Sequence, residues 1–105
     1  MIEIKVKKLT GLVSKIIGLL NAPRPYPVYF HTRYGIHTFG MKYPLDLVIL
    51  DDSGRVVYVR PGLKPFRIYV WNPQYQRVLE LPEGSVGKYG IKRGTVIRLS
   101  ALTDR

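Results

Sequence analysis

The sequence predicts a mainly β fold, α+β by content: a small antiparallel barrel-like sheet of about six strands, with one amphipathic N-terminal helix and short helical turns. Three observations carry this reading. Short runs of β-branched and apolar residues recur along the chain, turn-forming residues separate them, and only one stretch has the period of a substantial helix. Long helices do not alternate with the strands, as a parallel α/β fold would require. At 105 residues the chain has the usual size of one domain, and no linker-like tract divides it, so one domain is expected over residues 1–105.

The elements follow in order. Ile2, Ile4 and Val6 alternate with Glu3, Lys5 and Lys7, which is the pattern of a half-buried strand. Leu9, Leu12, Val13, Ile16 and Leu20 then make one stripe of a helix that Thr10 is placed to cap and that Gly11 and Gly18 weaken. "APRPYP" at residues 22–27 stops it, because proline removes donors and pushes the preceding residue into extended geometry. "LDLVILDDSGRVVYVR" reads as a hairpin: two apolar, β-branched runs flank Asp51, Asp52, Ser53 and Gly54. "FRIYVW", "RVLELP" and "TVIRLS" are further strands. "SVGKYGIKRG" between the last two suits one or two helical turns, with Ser85 as cap and Gly90 as terminator.

Composition bounds the function classes. The chain has no cysteine, which removes disulfides and thiolate zinc sites. Net charge is +10, the sign that suits a polyanionic partner, but the basic residues are mostly single and interleaved with apolar ones. "KVKK" and the "IKR" of residues 91–93 are the only small clusters, so nucleic-acid binding is an alternative rather than the leading reading. Few acids, no cysteine and many Tyr, Val, Ile and Arg also suit a thermophile. The longest apolar N-terminal segment, residues 11–22, is interrupted by Lys15 and is too short to span a bilayer. It also lacks the order of a signal peptide, which makes a cytoplasmic location the expectation.

"GIHTFGMKYPLDLVILDDSGRVV", "LKPFR" and "VLELPEGSVGKYGIKRGTVIRL" together resemble the archaeal and bacterial family known as domain of unknown function 192, over roughly residues 10–100. The resemblance rests on a combination: a Met-Lys pair, a Pro-hydrophobic-Asp phrase, a Leu-Glu-hydrophobic-Pro run and a closing Gly-Ile-x-x-Gly. It implies a small barrel-like β domain and no assigned catalytic residue. Met41, Lys42, Asp46, Arg67 and Glu80 match motif positions where polar residues recur, and with His37 they form the candidate ligand-binding set. Thr95 stands where the family commonly has Asp, so no carboxylate role is carried over there.

The chemistry of these residues sets the expectations. Asp46 is in register with Val48 and Leu50, so burial of that face would demand a partner for the carboxylate. Lys42 is the nearest cation in sequence, and a Lys42–Asp46 polar pair, open to solvent on one side, is expected at the hairpin mouth. Arg67 and Glu80, on separate strands, either pair across the sheet or converge on a pocket. His37 and Asp46 invite a metal site, but their spacing with His31 matches no established metal motif, so no metal and no cofactor are expected. No nucleophile elbow, glycine-rich phosphate loop or Ser/His/Asp arrangement is visible. The leading expectation is a non-enzymatic binding or accessory module for a small polar or anionic ligand, or a peptide, held in a cleft bordered by residues 37–46. The alternatives are a small acid–base enzyme using Asp46 and His37, and a nucleic-acid binder acting through its basic surface.

Overall fold

A computed structural model describes residues 1–8, 27–33, 35–37, 43–65 and 67–101. The expected helix near residues 10–20, with its Thr10 cap and most of the proline stop, lies outside the described residues.

Among the described residues, eight strands and one short helix appear in order: β1 (Ile2–Lys8), β2 (Val28–His31), β3 (Gly35–His37), β4 (Leu45–Leu50), β5 (Val56–Leu63), β6 (Ile68–Val70), β7 (Arg77–Pro82), α1 (Ser85–Tyr89) and β8 (Ile97–Ala101). Six strands form one sheet in the order β5-β4-β7-β2-β1-β8, and β3 pairs with β6 in a separate two-stranded sheet. The main sheet is mixed, which corrects the expected antiparallel one: β1 runs parallel to both β2 and β8. Parallel neighbours need a long crossover rather than a tight turn, so no local turn signal announces them.

The hairpin forms as its residues dictate. Asp51 Oδ1 accepts from Ser53 N (2.9 Å), Ser53 Oγ (2.7 Å) and Arg55 N (2.9 Å), which folds the turn between β4 and β5. Gly54 completes it at φ 86°, where a Cβ would stand 2.9 Å from the carbonyl oxygen of Ile97. That close approach joins the two edges of the sheet. Ile97 N donates to Gly54 O, Val56 N to Thr95 O and Gly94 N to Val56 O, beside an Arg55–Val96 bridge. The sheet is therefore curled far enough for its first and last strands to meet at one end.

Curling gives the sheet an inner and an outer face, and β4 is buried on both. Inside, Val48, Leu50, Leu79 and Leu81 pack with Ile4, Val6 and Ile97. Outside, Leu45, Leu47, Ile49, Val78, Val28 and Phe30 pack with Trp71, and Ile36 of β3 and Tyr69 of β6 cover them. The helical turn forms where expected, ending on Gly90 at φ 66°. Its cap differs: Gly84 holds the N-cap position, and Ser85 donates its hydroxyl back to Pro82 O at 2.6 Å. Thr95, at the position where the resembling family commonly has Asp, accepts Lys92 N with its hydroxyl at 3.1 Å, an acceptor role a carboxylate also fills.

Candidate functional site

The site is built from β4 and β7, adjacent antiparallel strands at the middle of the sheet. Their register sets Asp46 opposite Leu81 and Leu47 opposite Glu80. Directly opposed residues share a face and successive residues alternate, so Asp46 points to the inner face and Glu80 to the outer one. The two carboxyl groups that the sequence places in one candidate set are thus separated by the sheet itself.

Asp46 is 1 % exposed, which corrects the expected opening of its carboxyl to solvent; Lys42, its expected partner, lies outside the described residues. Its Oδ1 accepts Gly62 N at 2.9 Å and its Oδ2 accepts Val86 N at 2.8 Å. Both partners follow from local structure. The β4–β5 ladder shifts register between Leu45/Leu63 and Leu47/Arg60, leaving Pro61 and Gly62 opposite Asp46 in a bulge. Gly62 adopts φ 64°, a conformation that suits glycine, and turns its N–H onto the carboxylate. Val86 lies in the first turn of α1, whose N-cap glycine has no side chain to offer. Asp46 supplies from a neighbouring strand the acceptor that an N-cap side chain ordinarily provides. It therefore ties β4, β5 and α1 together.

Glu80 is 3 % exposed and has no such provision. Its neighbours in register are Leu47 on β4 and Val28 on β2, both apolar and buried. Its Oε1 is enclosed and has no hydrogen-bond partner. Burial alone pushes the carboxyl up to about 8, so Glu80 is a protonated acid at neutral pH. A neutral carboxyl presents one O–H donor beside one carbonyl acceptor. Leaving such a group unsatisfied costs about 1–3 kcal/mol.

The other candidates distribute as follows. His37 ends β3, where its backbone pairs with Ile68, on the strand pair covering the Glu80 face. Met41 and Lys42 lie outside the described residues. Arg67 is exposed just before β6, with Nη1 3.5 Å from Pro65 O, so it stands at the surface while Glu80 lies in the core. Acid–base chemistry by Asp46 with His37 is disfavoured by geometry, since both Asp46 oxygens engage backbone donors on the face opposite to the one β3 covers. Among the described residues no group of three His, Asp or Glu side chains is arranged to hold a metal ion.

Sequence reading missed two further features. Arg77 opens β7 and donates Nε to Tyr29 Oη (2.8 Å) and Nη1 to the carbonyls of Asp51 and Asp52, while Tyr29 Oη lies 2.7 Å from His31 Nε2. This chain of contacts locks the hairpin turn to β2 and β7. The second is an open cleft of about 400 Å3 where the sheet edges meet, with Arg55, Tyr58, Tyr75 and Arg93 in its lining. Arg93 belongs to the "IKR" cluster that the sequence singles out, but its neighbours come from distant segments.

Comparison with known proteins gives a consistent result. The family described as domain of unknown function 192, uncharacterised ACR, matches residues 26–99. A UPF0127 protein of Pyrococcus horikoshii is 32 % identical over 88 residues, which cover 78 % of this chain and 76 % of that one. A crystallised protein of unknown function from Novosphingobium aromaticivorans aligns with a TM-score of 0.73 at 17 % identity, over 85 % of this chain and 70 % of the other. A chain from Sinorhizobium meliloti, provisionally described as a transcription regulator, aligns at 0.69 and 17 % identity, over 85 % and 76 %. At such identities the crystal structures establish a shared fold. Among the described residues no helix is long and apolar enough to cross a membrane.

Proposed function

This chain belongs to the domain of unknown function 192 family, and from that premise we propose that it is a non-enzymatic binding module whose ligand engages Glu80 on the outer sheet face beneath β3 and β6. The observation that carries the reading is the enclosed, unpartnered Oε1 of Glu80. Buried polar groups in folded proteins are nearly always satisfied, and the exceptions concentrate where a ligand or a reaction supplies the missing partner. Asp46, equally buried, is fully provided for. The ligand is a small polar or anionic molecule, or a peptide, that brings a donor and an acceptor to the neutral acid on the face that β3 and β6 cover.

The test is a thermal-melting screen of small carboxylates, carboxamides, phosphates and short peptides against the native chain and Glu80→Leu. The substitution replaces an unsatisfied acid by an apolar side chain in an apolar setting, so the variant should fold with equal or greater stability. A ligand that raises the melting temperature of the native chain and leaves that of Glu80→Leu unmoved supports the proposal. The same shift in both proteins, or no shift from any compound, contradicts it.

A further inference from the structure

We propose a second site, independent of Glu80, at the seam where the sheet edges meet: a cleft that binds a phosphate monoester carried on a planar ring. Arg55 and Arg93 contribute two guanidinium groups to it and Tyr58 and Tyr75 two rings. Arg55 is already oriented, because its Nη1 donates to Gly94 O at 3.1 Å while its remaining N–H groups stay free for a ligand. The carbonyl that holds it is itself positioned by the seam, where Gly94 N donates to Val56 O. Arg93 is exposed and makes no hydrogen bond or ion pair among the described residues.

The lining chemistry selects the ligand class. A phosphate monoester has several acceptor oxygens and close to two negative charges, which suits two planar guanidinium forks better than a single carboxylate does. Tyr58 and Tyr75 meet edge to face with centroids 6.1 Å apart, giving a ring a surface to pack on beside the cations. A neighbouring cleft that shares Tyr75 is lined by Asp51 and Asp52, whose carboxylates disfavour an anion there and leave the phosphate to the two arginines. A volume of about 400 Å3 admits a molecule of mononucleotide size, at the lower end of the range for small-molecule sites.

The experiment is a titration of the isotope-labelled full chain, followed by amide NMR, with phenyl phosphate, a nucleoside monophosphate, inorganic phosphate and a short single-stranded oligonucleotide. Saturable shifts at residues 55–58, 75 and 93–94 are expected with both ring phosphates, and weaker ones with inorganic phosphate. Arg93→Ala should weaken ring-phosphate binding by roughly tenfold to a hundredfold. Its melting temperature should match that of the native chain, since Arg93 has no partner to lose. Arg93→Lys, which keeps the charge and loses the fork, should fall between the two. Glu80→Leu should bind ring phosphates as the native chain does, which separates this site from the one beneath β3 and β6. Absence of saturable shifts, affinity untouched by Arg93→Ala, or equal affinity for inorganic phosphate would each overturn the proposal. So would binding of the oligonucleotide alone, which would assign the seam to nucleic acid.

Discussion

Asp46 and Glu80 occupy neighbouring positions on adjacent strands, are buried to almost the same degree, and differ in everything that decides what a buried acid does. On the inner face a bulge glycine and an uncapped helical turn each aim an N–H at Asp46, so its carboxylate is part of the scaffold. On the outer face Glu80 stands between the apolar Leu47 and Val28 and keeps its proton. Burial of an acid is therefore not the mark of a site; the mark is burial for which the fold makes no provision. The first acid ties three elements together, and the second is a cost that the fold carries without recovering it.

The comparison predicts effects of different size and sign. Asp46→Ala should be the most destabilising change, because it leaves two enclosed backbone donors without acceptors; two hydrogen bonds to a charged group are together worth about 3–6 kcal/mol. Urea unfolding would measure this, and Asp46→Asn, which keeps one acceptor oxygen, should lose about half as much. A loss below about 1 kcal/mol for Asp46→Ala would break the comparison at its structural end.

Glu80 should leave its signature in the pH dependence of stability. Its carboxyl is raised in the folded chain from an ordinary value of 4.5 to about 8, so the folded state binds more protons than the unfolded state between these limits. The contribution of Glu80 is then fully present below 4.5 and is lost as pH rises toward 8, at about 1.4 kcal/mol per pH unit. Between about pH 5 and about pH 8 the native chain should lose about 3 kcal/mol relative to Glu80→Gln, measured as the difference between the two unfolding curves.

Asp51 sharpens the contrast from the opposite side. Its carboxyl is held below the ordinary 3.8, first by the Ser53 hydroxyl and then by the amide of Arg55, so its contribution is present above 3.8 and lost as pH falls further. Because the turn is solvated, Asp51→Ala should cost within about 1 kcal/mol at neutral pH, the smallest effect of the three.

The hairpin around Asp51 to Gly54 and the turn ending at Gly90 were legible in the sequence because each is encoded by residues within a few positions of one another. Asp46 was legible as one member of the apolar row it shares with Val48 and Leu50. Its partners were not, since Gly62 N and Val86 N reach it only through a bulge and a helix from other parts of the chain. The face of Glu80 was hidden for a related reason. In "RVLELP" both alternating sets contain apolar residues, so only the pairing of β7 with β4 decides which way the acid points. β2 was missed because its first three residues are buried on both faces and show no alternation, and β3 because it is three residues long. The parallel neighbours of β1 are β8, from the opposite end of the chain, and β2, reached by a crossover, and both lie beyond any local pattern.

The most direct test of the account is the protonation state of Glu80 itself. A titration following the side-chain carboxyl carbon of Glu80 by NMR should find it neutral at pH 7 and losing its proton near pH 8. Deprotonation of Glu80 in the ordinary glutamate range would mean that water or a cation already satisfies it, and would contradict both the contrast between the two faces and the binding role drawn from it.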